Sequence, residues 1–204
     1  MIDACVPGAS LFLRAGEHLL SRAMELRKDI TLVGRGFATV SSGNDQALVS
    51  TSGSQTLRGV HLRNHASLSA PFFAALVSGG ALTLEGCSVT CRGEGSNDVI
   101  RVASGSCALL GCRIFDAQLR PDCVGIEFGC ATSGRVEGTT ICGLKGGSAG
   151  ISICPGALRV VIANNTICDN ECCGVWLQNG ANHVTLGSNV MRNNGRGDLR
   201  DERL

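Results

Sequence analysis

The sequence predicts an all-β chain wound into a solenoid of about seven coils, each of roughly 25 residues. Three observations predict it. One apolar segment recurs seven times, at steps of 24 to 27 residues. A second apolar segment falls between its copies at a similar period. Glycine, asparagine and serine occupy the bends, where a sharp corner needs positive φ.

The first segment reads ITLVGRGF, QTLRGVHL, LTLEGCSV, CALLGCRI, GRVEGTTI, VVIANNTI and VTLGSNVM. Its turn column is Gly34, Gly59, Gly86, Gly111, Gly138, Asn164 and Ser188. Two places earlier stand Leu32, Leu57, Leu84, Leu109, Val136, Ile162 and Leu186. Three places later stand Phe37, Leu62, Val89, Ile114, Ile141, Ile167 and Met191. The second segment begins at Ala47, Ala75, Ile100, Ile126, Ile151 and Val175, with Gly125, Gly150 and Gly174 just before three of its copies. Both alternate with period two, so both are strands with one face inward. A single coil cannot bury that face; stacking on the next coil does, with parallel strands about 4.8 Å apart.

Asn165 and Asn189 share the column after the turn, where asparagines stack as a hydrogen-bonded ladder. Cys87 and Cys112 precede them in that column, and Cys142 and Cys168 form a second repeated pair. The twelve cysteines therefore read as reduced, buried small hydrophobes rather than a disulfide framework. Histidine partners at zinc-ligand spacing are missing.

One domain is expected over 1–195, with 1–29 as an opening coil or cap and 196–204 as a polar tail. Leu20–Lys28 contains good helix formers, but the later repeats favour strand or loop there. The near-immediate start of the first coil suggests a piece of something longer. Arg196–Asp198 spells Arg-Gly-Asp, read here as chance in a Gly/Asn-rich stretch. Net charge is +1 and aromatics are 3%, which removes the electrostatic case for nucleic acid and leaves few stacking platforms. No apolar run reaches membrane-spanning length. The first ten residues lack the basic and apolar regions of a secretory signal, so an intracellular setting is favoured and secretion stays open.

The stretch GISICPGALRVVIANNTICDNECCGVWLQNGANHVTLGSNVMRNN resembles consecutive repeats of the right-handed parallel β-helix of the pectate-lyase-like superfamily. VPGASLFLRAGEHLLSRAMELRKDITLVGRG resembles the usual first coil of such proteins. The resemblance implies the fold along nearly the whole chain. It implies much less about function, since the fold hosts polysaccharide lyases, hydrolases, esterases, epimerases, tailspikes and non-enzymatic modules. Intracellular versions include the substrate-binding region of F-box adaptors and an SH2-binding scaffold.

Catalytic candidates lie on outward columns. One reads Leu48, Leu76, Arg101, Glu127, Ser152 and Trp176; another reads Val33, Arg58, Glu85, Leu110, Glu137, Ala163 and Gly187. Were the chain an enzyme, Arg101, Glu127 and Asp122 would be its acid/base candidates. Each Arg–Glu neighbour pair reads first as a cross-strand ion pair. Loops after the first segment carry Glu94, Asp98, Asp116, Asp122, Asp169 and Glu171, with Arg92, Arg120 and Lys145. Asp98, Asp116 and Asp122 are the residues that could take Ca²⁺, against ordinary solvation; no metal or cofactor is expected. The superfamily's paired-Asp stretch, glycine-flanked histidine and Arg-x-Pro-x-x-Arg are absent. Trp176 is the lone tryptophan and faces outward by alternation. With Leu48 and Leu76 it makes an outer column suited to anchoring a partner. The expected function is a non-catalytic scaffold or binding module offering a lateral face to a protein or glycan; the alternative is a carbohydrate-active enzyme.

Overall fold

A computed structural model describes residues 4–43, 46–65, 73–92 and 98–203. It is an all-β parallel solenoid of about seven turns. Three strand stacks run along it. Each coil contributes one layer to each stack, and every pairing between coils is parallel.

Alternation dictates the core. In the first stack Leu11, Leu32 and Leu57 are partners in register, and Leu84, Leu109, Val136, Ile162 and Leu186 continue the column. In the second, His18, Val40, Leu62, Val89, Ile114, Ile141, Ile167 and Met191 do the same. In the third, Met24, Leu48, Ala75, Ile100, Ile126, Ile151, Val175 and Leu199 follow. The middle rungs are solvent-free. Each buried Leu or Ile contributes about 1.5–3 kcal/mol by leaving water, so stability grows with every added coil.

Between the first and second stacks the chain turns at one left-handed residue. Asn164 (φ 57°) stands in register with Gly59, Gly86, Gly111 and Gly138. A second left-handed corner follows the second stack at Asp116, Gly143, Asp169 and Asn193. Short Asn and Asp side chains tolerate this region because they hydrogen-bond locally.

The residue after the first corner turns inward, and its polar atoms meet the backbone of the preceding coil. Cys87 and Cys112 Sγ donate to the carbonyls of Leu57 (3.3 Å) and Leu84 (3.2 Å). Thr139 Oγ1 accepts from Cys112 N, and Asn165 Oδ1 accepts from Thr139 N. Asn165 and Asn189 Nδ2 donate to Val136 and Ile162 carbonyls, each at 2.8 Å. The expected asparagine pair is thus the end of a five-residue ladder. A second ladder follows the second corner: Asn170 Nδ2 donates to Asn194 Oδ1 at 2.9 Å, and Leu144 N donates to Asn170 Oδ1.

Several sequence expectations change. Phe37 is not a rung. The second coil has a longer corner, its register shifts between Val33 and Ala38, and Val40 pairs with Leu62. Phe37 is 94% exposed. Leu48 is not outward either: it pairs with Ala75, is fully buried, and Val49 takes the outward place beside Leu76. The register of the first copy of the second segment therefore starts at Leu48, one residue after Ala47. In the segment expected as a polar tail, Leu199–Asp201 forms a strand paired with Cys173–Leu177. Within Leu20–Lys28, Met24–Leu26 is a strand, as the repeats favoured. No disulfide joins any two of the cysteines, and Cys87, Cys107, Cys112 and Cys172 lie in the core.

Candidate functional site

Two outer faces carry polar side chains in quantity. On the third stack, the outward column runs Glu25, Val49, Leu76, Arg101, Glu127, Ser152, Trp176 and Arg200. Arg101 Nη2 meets Glu127 Oε1 at 3.2 Å, and its Nη1 meets Asp98 Oδ2 at 3.5 Å. The guanidinium also lies over the Phe73 ring, 5.9 Å from its centre. Asp98 is only 3% exposed and accepts the Val124 N–H at 2.9 Å. Burial, with the neighbouring Glu127 charge second, pushes its carboxyl up to about 7. A carboxyl that holds its proton near neutrality beside a second carboxylate is the composition of an acid/base pair. Cys154 lies nearby, but burial raises its thiol to about 11, so it stays protonated. Gln178 Nε2 ties Ser152 Oγ (3.0 Å) to this group.

The predicted catalytic trio is therefore split. Arg101 and Glu127 meet; Asp122 is an exposed loop residue, and the second carboxyl that Arg101 meets is Asp98. The sequence marks Asp98 only as a calcium candidate. Its sequence position, two residues before the strand at Ile100, was the available signal. Asp98, Asp116 and Asp122 do not gather: Asp116 pairs with Arg92, Asp98 with Arg101. Among the described residues no cluster of His, Cys, Asp and Glu could hold a metal. The loop ridge is spent on structure elsewhere too, since Glu171 accepts the Gly146 N–H (2.9 Å) and Asp169 the Asn193 amide (3.0 Å). Glu94 lies outside the described residues.

Trp176 points outward as alternation requires, yet it is covered. Arg200 stacks on its ring at 4.5 Å, and its Nε1 donates to Glu202 Oε2 at 3.0 Å. Both partners come from the segment expected as a tail. Beneath, the ring packs on Val124, Ala149 and Cys173. Of the three expected anchor residues, Leu48 is interior, Trp176 is half-buried under Arg200, and Leu76 is half-buried on the outer face.

The first stack presents a shallow groove of about 570 Å³. Its floor is small: Ala81, Thr83, Ser106, Ala108, Ser133 and Gly134. Arg135, Glu137, Arg159 and Val161 border it. Arg135 pairs with Glu137 at 2.5 Å, and Arg58 with Glu85 at 2.5 Å, as cross-strand reasoning had anticipated for the latter. In the sequence the groove shows only as a lack of bulk. Ser54, Ala81, Ser106 and Ser133 align in one register, as do Thr56, Thr83 and Ala108.

On the second stack His61 Nδ1 lies 2.6 Å from Ser88 Oγ and Nε2 3.3 Å from Thr90 Oγ1. Burial, then Arg63 and Arg92, lower its pKa, so the ring is neutral at pH 7. Among the described residues its hydrogen-bond partners are hydroxyls, the Ser88 and Thr90 side chains.

Comparison with protein-family models and with curated proteins finds no match. Among solved structures, the A-module of the Azotobacter vinelandii mannuronan C-5 epimerase AlgE6 is similar to this chain at 11% identity, over 91% of this chain and 68% of that one, with a TM-score of 0.28. At that score the likeness carries no inference about chemistry; the architecture here rests on strand register. No helix among the described residues is long and apolar enough to cross a membrane.

Proposed function

We propose that this chain is a non-catalytic β-solenoid binding module whose first-stack groove takes an extended glycan strand. The groove itself carries the reading. It crosses successive coils, so an elongated ligand lying along the rod would meet the same register position at each layer. Its floor offers Thr83, Ser106 and Ser133 hydroxyls, which donate and accept, beside the methyl of Ala108. Arg135, Glu137 and Arg159 at the border supply directed donors and acceptors for sugar hydroxyls. The groove is open, so most of a ligand would stay solvated and binding would be weak unless many sugars engage at once. A protein partner anchored on Trp176 has less support, because Arg200 and Glu202 already occupy that ring.

Titration of neutral and charged oligosaccharides, followed by amide chemical shifts, tests this reading. Shifts should cluster on 81–83, 106–108 and 133–135. Ala108→Arg, which fills the floor, should abolish them. Shifts confined elsewhere, or binding unchanged in Ala108→Arg, would overturn the proposal.

One observation favours a second reading, a carbohydrate-active enzyme: the Asp98 carboxyl, raised to about 7, beside Glu127. Polysaccharide turnover lost in both Glu127→Gln and Asp98→Asn, with binding retained, would establish it.

A further inference from the structure

Cys142 and Cys168 stand side by side on the outer face of the second stack. Thr140–Cys142 and Thr166–Cys168 are parallel partners, and their register sets Cys142 opposite Cys168. Ile141 and Ile167, one residue earlier in each strand, are fully buried core rungs. Alternation therefore turns both thiols outward, onto one face. Neighbouring strands lie about 4.8 Å apart, inside the Cα separation of about 4.4–6.8 Å that a disulfide spans. A disulfide draws the Cβ atoms to about 3.5–4.5 Å, so the strands must close slightly. Each cysteine ends its strand and is followed by a left-handed corner, Gly143 (φ 67°) and Asp169 (φ 57°). The closure thus falls at two strand ends and not in mid-strand.

Other neighbouring cysteines are held differently. Cys87 and Cys112 lie inside the rod, 2% and 3% exposed, with each Sγ donating to a backbone carbonyl. Cys172 and Cys173 adjoin in the chain but pack in separate clusters. Cys173 Sγ also donates to the Ser148 carbonyl at 3.1 Å.

We propose that Cys142 and Cys168 are a reversible redox site, oxidised by small-molecule disulfides of the glutathione type. Access orders the steps. Cys142 is half-buried, whereas Cys168 is 6% exposed. Burial also raises the Cys168 thiol despite Arg192 in register beside it, so Cys168 is the slower nucleophile toward an outside reagent. The Cys142 thiolate attacks one sulfur of the small disulfide. That S–S bond breaks, a mixed disulfide forms on Cys142, and the departing thiolate takes a proton. Cys168, having given up its proton to water, attacks Cys142 Sγ and expels the second small thiol. Two protein thiols are oxidised to one disulfide, and one small disulfide is reduced to two thiols. Excess small thiol drives the same steps backwards. The bond ties the coil of Arg135 and Glu137 to the coil of Arg159 and Val161. It therefore holds together two coils that border the first-stack groove.

Equilibration of the native protein at pH 8 with graded ratios of oxidised to reduced glutathione, followed by an acid quench and tryptic peptide mapping, provides the test. Cleavage at Lys145 and Arg159 separates the two cysteines, and fragment ions between Cys168 and Cys172 assign the partner. Wild type should yield a peptide linking Cys142 to Cys168 at oxidising ratios and lose it at reducing ones. Cys168→Ser should instead accumulate glutathione on Cys142, while Cys142→Ser should carry none on Cys168. Wild type decides even if a variant folds poorly. Absence of the linked peptide at every ratio would overturn the proposal. So would linkage of Cys142 to Cys130, Cys154 or Cys172, or a Cys142–Cys168 link that forms only in urea.

Discussion

Asn165 gives two hydrogen bonds to one atom. Its backbone N–H donates to Asn189 Oδ1 at 3.0 Å, and its side-chain amide donates to the same oxygen at 2.9 Å. The amide also reaches back to the Val136 carbonyl, while Asn165 Oδ1 takes the Thr139 N–H. One side chain therefore satisfies two backbone groups of the preceding coil and joins the side chain of the following one, at a corner where no strand partner can. Asn165→Leu leaves the Val136 carbonyl and the Thr139 N–H buried without partners. At about 1–3 kcal/mol for each such group, we expect a loss of about 3 kcal/mol or more. Asn165→Thr should cost about half as much, since Thr139 does the same work one coil earlier by accepting from Cys112 N and donating to Leu109 O. Urea denaturation of the two variants checks the ordering; equal losses would show the ladder to be incidental.

The ladder also explains which features the sequence displayed. Period-two alternation with a 24–27-residue step is a direct consequence of stacking, so fold, coil count and most inward columns could be read from it. Corner length is not constrained by the core. Spacing alone therefore puts Phe37 in the inward column, whereas the corner beyond Gly34 bulges further and leaves it outside. Leu48 failed for a related reason: in ALVS every residue but one is apolar, so alternation fixes no phase, and only pairing with Ala75 does. Glu127 and Arg101 were visible because neighbours in one column must touch. Asp98 was not, because its burial goes with the Val124 N–H that it accepts from the next coil, which no periodicity encodes. The covering of Trp176 likewise depends on Leu199–Asp201 forming one more strand from residues whose polarity suggested a tail.

Two kinds of glycine should separate by mutation. A Cβ at Gly134 would overlap the buried Phe128 ring and the Cys107 carbonyl. A Cβ at Gly86 meets nothing within 4 Å, but φ there is 57°. Gly134→Ala should therefore cost about 3 kcal/mol through overpacking. Gly86→Ala should cost about 1–2 kcal/mol through the left-handed backbone alone. Gly86→Asn should cost less again, because Asn164 occupies the equivalent corner at the same φ. Thermal and chemical denaturation give that order; a Gly86→Asn loss matching Gly134→Ala would contradict the corner assignment.

The cysteines should react in an order set by burial. Desolvation lifts the thiols of Cys87 to about 11 and of Cys107 and Cys172 to about 12, leaving well under about 1% thiolate at pH 8. Cys130 is exposed. Iodoacetamide at pH 8 followed by peptide mass spectrometry should label Cys130 first. Cys87, Cys107 and Cys172 should label only as the rod opens, with rates that follow urea concentration. Early labelling of Cys107 would mean that its coil is not packed as described.

Asp98 makes stability depend on pH in a defined direction. Its folded pKa of about 7 exceeds the ordinary 3.8, so between those values the folded chain holds a proton that the unfolded chain has released. Stability from this group is fully present below about pH 4, falls as pH climbs to about 7, and is flat beyond. The slope is at most about 1.4 kcal/mol per pH unit. Asp98→Asn keeps an oxygen for the Val124 N–H and removes the titration, so its stability should be level across that window and should exceed wild type at pH 8. Glu127→Gln acts on the same group from outside. Its charge is the second cause of the rise, after burial, so the variant should move the wild-type fall toward lower pH without abolishing it. Denaturant midpoints from pH 4 to 8, together with carboxyl ¹³C shifts of Asp98, distinguish the cases. A midpoint that rises with pH in wild type but not in Asp98→Asn would reverse the assignment, making Arg101 rather than burial the dominant neighbour of this carboxyl.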